Sequence, residues 1–488
     1  MSPAGGTPPD WLLPPDPGTR RVARKLLAGI EGLPIVSPHG HVPVGLLADD
    51  AAFGTPVDLF LRPDHYAFRM LYSQGIPLEA AGLRPRDRAA VPGEPPDPDP
   101  DADRAAWRTF AANQHLFRGT PTGAWLRRTM ELVFGIRTTL DASTADAVYD
   151  ALAERIADPA YRPRRILERF GIEVICTTDE ATDTLDEHRL LHLDGLGGRV
   201  RPTFRPDAVM EIAAPGWRAA LEPLAARAGI GIGSVAELLE ALRIRRAAFR
   251  ALGAVATDHA AATPWTEVLA APEAEAIFRR ALRGAASEDD ARRFRGHLLV
   301  EMAGMSVEDG LVMQLHPGSF RNHNPTIFDR FGPDKGADIP VAVDFTHGLR
   351  ALLDRHGNDL RLRLILFTLD ETTYARELAP LAGHYPALRL GPPWWFHDSP
   401  RGIERYLDRV TETAGIANLA GFNDDSRSLV AIPARHEVWR RSVAGWLAGL
   451  VVRHVVRDVE AHEMARDLAV DLARSAYGLP EGSVPGAA

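Results

Sequence analysis

Two histidines separated by one glycine, His39 and His41 in "SPHGH", stand at the end of a short apolar segment, "LPIVS" at 33–37. In an extended chain residues i and i+2 project the same way, so both imidazoles can reach one ion at about 2.0–2.1 Å. With 17 histidines in the chain, a spaced pair by itself says little. Its weight comes from similar endings elsewhere. "GAVAT" runs into Asp258 and His259, "LVMQLH" ends in His316, and "IANLAGF" runs into Asn423, Asp424, Asp425, Ser426 and Arg427. The single Cys176 excludes an intramolecular disulfide and a cysteine-built metal site, so a metal here would need imidazole and carboxylate ligands.

Such endings meet only if the segments before them are arranged around one axis. Eight short apolar or β-branched stretches, at 33–37, 172–178, 199–204, 253–257, 311–316, 362–368, 385–391 and 416–422, alternate with helical patterns. That alternation predicts an α/β fold, a (β/α)8 TIM-like barrel with its reactive residues at the C-terminal ends of the strands. The second and third stretches are the weakest, because prolines and charges interrupt them. In a closed barrel the last strand lies beside the first, so one of its carboxylates can complete the His39/His41 pair, with His316 facing them from across the barrel.

The spacing locates the insertions. Residues 1–75 read as an N-terminal segment and the first strand, 76–165 as a mainly helical insertion, and 166–488 as the rest of the barrel with C-terminal helices. "VPGEPPDPDPDAD" at 91–103 reads as an exposed loop, 258–305 as a second helical stretch, and the tail "LPEGSVPGAA" as frayed. A net charge of −9 gives no basic excess for nucleic acid. The first residues show no signal-peptide pattern, and the apolar run Val443–Val452 is too short to cross a bilayer. A cytoplasmic protein without a membrane partner is expected.

Several blocks carry a resemblance that spans nearly the whole chain in order. They are "SPHGH", "LFLRPDHYAFRMLYSQG", "VICTTDEATDTLDEH", "FRPD", "QLHPGSFRNHN", "PPWWFHDSPRGIER" and "GFNDDSRSLVAIPARHEVWRR". The chain resembles the amidohydrolase superfamily and, within it, the uronate isomerases. It departs from that pattern at Gly40, where the family often has Cys, and at Asp424, where it often has Thr. The sixth stretch ends "LFTLD", without the histidine that binuclear relatives carry, so one divalent ion at most is expected.

The resemblance implies aldose–ketose isomerisation of D-glucuronate to D-fructuronate and of D-galacturonate to D-tagaturonate, by proton transfer through a cis-enediol. It makes Asp425 the base, with a pure metal ligand as the other reading. Arg427 would hold an enediolate oxygen, or simply partner Asp425. His65 and Tyr66 would face the substrate, with Tyr66 assisting ring opening or proton relay. Arg205 and Arg321 would grip the uronate carboxylate, since a planar guanidinium does so bidentately. One of Trp394 and Trp395 would stack on the sugar, while His397 and His436 would orient ligands or base. His39, His41, Asp425 and His316 are the candidate ligands of one ion, Zn2+ fitting that donor set. An isomerase needs no hydroxide, so the ion can serve as a handle for the substrate rather than the source of a nucleophile. The runner-up is a metal-dependent hydrolase of the same superfamily, and a third reading is a silent sugar-acid binder. Self-association into a homo-oligomer is expected from the size of the barrel.

Overall fold

Strands buried on both faces read as short apolar runs, and that is how this barrel is built. The structure is a computed structural model describing residues 6–86 and 100–480. In it β1 (Ile35–Ser37) pairs in parallel with β2 (Ile172–Cys176). After two further residues comes β3 (Asp179–Glu180), and the third stretch is likewise divided, into β4 (Val200–Arg201) and β5 (Phe204–Arg205). β4 pairs with β2, and β5 with β3. Pro202, which has no N–H to give, stands at the break.

β5 pairs with β6 (Ala256–His259), and β6 with β7 (Val312–Leu315). A small antiparallel hairpin, β8 (Ser319–Phe320) with β9 (Ile339–Pro340), follows. The barrel resumes with β10 (Leu364–Leu366) against β7 and β11 (Leu388–Leu390) against β10. The eighth stretch differs from expectation: it joins β11 by a single parallel bridge, Leu390 to Leu419, with the Ala420 N–H donating to the Leu390 carbonyl at 2.8 Å. Gly421 then turns the chain at φ 72, where an added Cβ would stand 2.5 Å from the Ala473 backbone nitrogen. The ring closes where the His41 N–H donates to the Ser426 carbonyl at 2.9 Å. The result is the (β/α)8 barrel.

Small and branched side chains fill its interior: Val36, Val174, Ala256, Val312, Ile365 and Ala420 form one cluster with Val470, Ala473 and Tyr477 of the C-terminal helical segment. That segment therefore plugs the barrel. Leu479, in the stretch read as frayed, is buried in the same cluster, and residues 481–488 lie outside the described residues.

After β1 the chain forms helices Val44–Asp49, Pro56–Phe60 and His65–Ser73, and later Pro100–Ala112, Pro121–Phe134, Ala145–Ala157 and Pro163–Arg169. Their apolar faces meet Ile35 and Ile172 around Trp107, Phe110 and Phe134 in a second core. The signals are local. Thr120 caps Pro121–Phe134 by accepting from the Gly123 N–H, and Gly135 ends it in the left-handed region at φ 70. Residues 91–99 of the Pro/Asp run lie outside the described residues, but Pro100–Asp103 form a helical turn, not a loop, and buried Asp103 pairs with Arg62. The stretch 258–305 is helical only from Ala271, in Ala271–Leu282 and Glu288–Asp309. Asp258 and His259 instead complete β6, where ladder pairing wins over helix.

Candidate active site

Three of the expected ligands meet at the C-terminal mouth. His39 Nε2 lies 3.5 Å, and His41 Nε2 3.2 Å, from Asp425 Oδ1. Two ligand atoms about 2.1 Å from one ion in tetrahedral geometry stand about 3.4 Å apart, so these residues already have ligand spacing. Asp425 Oδ1 is buried and accepts no well-aligned hydrogen bond, an orphaned acceptor that suits a cation. The other oxygen, Oδ2, accepts from Trp394 Nε1 at 2.8 Å. Asp425 sits at φ 47, a left-handed conformation uncommon outside glycine, and that turn carries its carboxylate to the histidines. Burial alone would raise its pKa, but His41, His39 and His316 hold the carboxyl well below the usual range. Burial depresses His39 to about 4, leaving a neutral imidazole suited to ligation.

His316 belongs to a different grouping from the one expected. Its Nδ1 is 2.7 Å from Asp258 Oδ1, and its ring stacks on Phe367 at 3.9 Å and adjoins His39 at 4.7 Å. Donor atoms of His39, Asp258 and His316 also lie within 4.8 Å of one another. That set suits a cation less well. Asp258 Oδ2 is 3.3 Å from Arg205 Nη1, so its charge is already matched by a guanidinium, whose own charge repels an ion. Burial works against an ionised Asp258, but His316 and Arg205 overcome it and hold its pKa well below the ordinary value.

Beside the three candidate ligands opens a cavity of about 610 Å³, lined among others by His65, Tyr66, Arg205, Arg321, both tryptophans and Arg427. Asp64 caps helix His65–Ser73 by accepting from the Tyr66 and Ala67 N–H groups, and so fixes the two aromatic residues at its start. Tyr66 donates to Asp398 at 3.2 Å, and Arg435 in turn donates to Asp398 at 2.9 Å. Burial, and then Asp398, pushes the Tyr66 phenol well above its usual range. Burial lowers His65 to about 3, so it is neutral. His65 lies edge-on to Trp395 at 4.8 Å, and Arg321 stands 5.3 Å from the Trp395 ring centre.

The arginines are not free groups waiting for an anion. Arg427 does not pair with Asp425: its Nη2 is 3.1 Å from Asp334 Oδ1. Arg321 donates to Asp338 at 2.9 Å, and Arg205 to Asp207 at 2.7 Å. His436 Nε2 is 3.2 Å from Asp424 Oδ2, the carboxylate next in sequence to Asp425. His397 instead meets the Thr368 carbonyl at 3.0 Å. Sequence reasoning missed Asp398, Arg435, Asp334 and Asp338. "WWFHDSP" and "PARHE" carry the first two inside the recognised blocks, whereas nothing in the sequence singles out Asp334 or Asp338.

Residues 19–477 match the family model described as glucuronate isomerase. A uronate isomerase of Nostoc punctiforme is 53% identical over 472 residues, covering 96% of this chain and 98% of that protein. One of Rhizorhabdus wittichii is 53% identical over 471 residues, with the same coverages of 96% and 98%. Among solved structures, glucuronate isomerase from Caulobacter crescentus superposes with a TM-score of 0.94 at 47% identity, covering 98% of each chain. The eight-segment alternation and these matches agree over the whole length: the chain belongs to the glucuronate isomerase family.

Proposed function

We propose that this protein isomerises D-glucuronate to D-fructuronate and D-galacturonate to D-tagaturonate in the 610 Å³ cavity at the barrel mouth. The observation that carries the reading is the meeting of His39, His41 and Asp425 at ligand spacing, with His41 and Asp425 on the wall that also holds Tyr66, Trp394 and Arg427. The open-chain sugar must lose a proton from the carbon beside the aldehyde and regain one on the aldehyde carbon. Asp425 is the base, qualified by position more than by proton affinity, since a carboxylate oxygen keeps a lone pair beyond the one given to Trp394. Tyr66, whose one O–H donates to Asp398, offers an oxygen lone pair that can accept from a substrate hydroxyl, and Asp398 with Arg435 fixes its direction. Neutral His65 serves as a hydrogen-bonding wall. Arg427 holds an enediolate oxygen while anchored by Asp334. Arg321, with one carboxylate partner, keeps donors for the uronate carboxylate, and Arg205, shared by Asp207 and Asp258, keeps fewer.

His39, His41 and Asp425 would hold one divalent ion, Zn2+ fitting the donors, and the ion would supply positive charge beside the substrate oxygens. The hydrolase reading is not favoured, because Phe367, not a histidine, follows β10 and stacks on His316. The proposal includes a cytoplasmic compartment and a homo-oligomer. Among the described residues no helix is long and apolar enough to cross a membrane.

Incubation of the protein with each uronate in deuterated water tests the assignment: ketose labelled at C1 supports it, and turnover of a lactone or amide with no ketose overturns it. The role of Trp394 gives a second expected result. Trp394→Phe keeps a ring against His316 and removes the donor to Asp425 Oδ2. Zn2+ affinity should fall by about tenfold with the fold intact, because groups that orient a ligand contribute on that scale. Unchanged Zn2+ binding in calorimetric titration would show that the indole only packs.

A further inference from the structure

We infer that Tyr477, on the C-terminal helix that plugs the barrel, is a positioning residue that ties together the strand ends carrying the site; the inference rests on the isomerase reading for its kinetic arm. Its hydroxyl accepts from Asn423 Nδ2 at 2.7 Å and donates to Gln314 Oε1 at 2.7 Å. Gln314 Nε2 passes the chain on to the Thr257 carbonyl at 3.4 Å. This line of hydrogen bonds runs in one direction and crosses the barrel from the eighth segment to β7 and β6.

Its anchors are one or two residues before site groups. Gln314 precedes His316 by two residues and Asn423 precedes Asp425 by two, whereas Thr257 is next to Asp258. In a strand, residues two apart share a face, so the Gln314 layer lies directly beneath the His316 layer. The eighth segment is the least paired wall of the barrel, held to β11 by one bridge, and it is the wall that carries Asp425. It therefore depends on other supports. The plug supplies them: the Ala473 backbone fills the space that a side chain at Gly421 would take, and the plug is itself held where Trp439 Nε1 donates to the Leu468 carbonyl at 2.8 Å and Arg474 pairs with Glu173 of β2. Tyr477 is 1% exposed, and burial keeps its phenol protonated and able to donate. Without the hydroxyl, buried Gln314 and Asn423 would each lose a partner, and two site-bearing strands would lose their shared tie.

The test is Tyr477→Phe in the full chain, which keeps the packed ring, with Tyr374→Phe as control. Tyr374 is 2% exposed, and its hydroxyl is buried with no hydrogen-bond partner. Zn2+ titration should show about a tenfold weaker affinity for Tyr477→Phe, and kcat on glucuronate should fall about tenfold with KM within twofold of the parent. Tyr374→Phe should match the parent in both. Parent-like Zn2+ affinity and kcat in Tyr477→Phe overturn the inference, as does an equal loss in both variants, which would mark general softening of the fold. If the parent makes no ketose, the isomerase reading fails, and the Zn2+ arm still decides the role of Tyr477.

Discussion

Asp425→Asn should lower turnover of both uronates by at least about 1,000-fold and abolish solvent label at C1 of the ketose, a loss on the scale of a missing general base. Asparagine is the informative replacement. Asp425 stands at φ 47, where asparagine is tolerated better than most residues, and the amide oxygen can still accept from Trp394 Nε1. The substitution therefore removes charge while leaving backbone and outline in place. It also weakens the ligand set, so one variant cannot separate a base from a ligand. His41→Ala provides the comparison, since it removes a donor 3.2 Å from Asp425 Oδ1 and leaves the carboxylate. If Asp425 is the base, excess Zn2+ restores turnover to His41→Ala and not to Asp425→Asn. Equal rescue of the two variants would reduce Asp425 to a ligand and move the proton transfer elsewhere, with Tyr66 the nearest alternative.

What was legible in the sequence follows the range of the forces involved. Strands shielded on both faces announce themselves as apolar runs, and each of the eight stretches has a counterpart in the barrel. The weak third stretch reads poorly because Pro202 splits it into β4 and β5. The eighth carries its apolar run without a ladder, because Gly421 yields to the plug, and an intrusion from 52 residues downstream (473 − 421) leaves no local mark. The meeting of His39, His41 and Asp425 was legible because they lie at strand ends, where the barrel itself fixes the geometry. Partnerships between loops were not. Tyr66 and Asp398 are 332 residues apart, and Arg427 finds Asp334 in the segment joining β8 to β9, so nothing periodic predicts either pair. For the same reason His316 could be placed at the mouth, whereas its engagement by Asp258 could not.

That engagement makes Asp258→Ala the most disruptive change expected among the strand-end groups to which sequence reasoning gave no role of their own. Asp258 is 2% exposed and faces His316 Nδ1 on one oxygen and Arg205 on the other. A buried charge is tolerable only while paired, so its removal strands the Arg205 guanidinium and leaves a buried imidazole without its partner. Asp207 still holds Arg205 Nε, which places the expected loss at about 3 kcal/mol, the low end for breaking a buried pair. The sign of the pH dependence is fixed by the depressed pKa of Asp258: its stabilisation is full above the unfolded value of 3.8 and is lost only as pH falls below it. Urea midpoints of parent and variant should therefore differ by the same amount at pH 7 and at pH 5. Activity should fall at least about 100-fold, because Arg205 and His316 both turn from the directions the substrate needs. Asp258→Asn keeps the shape but offers an amide N–H to one of two donors, so it should regain most of the stability and little of the turnover. A variant with parent-like melting and turnover would mean that Arg205 and His316 are positioned by the barrel alone, and that the Asp258 carboxylate is incidental to the site.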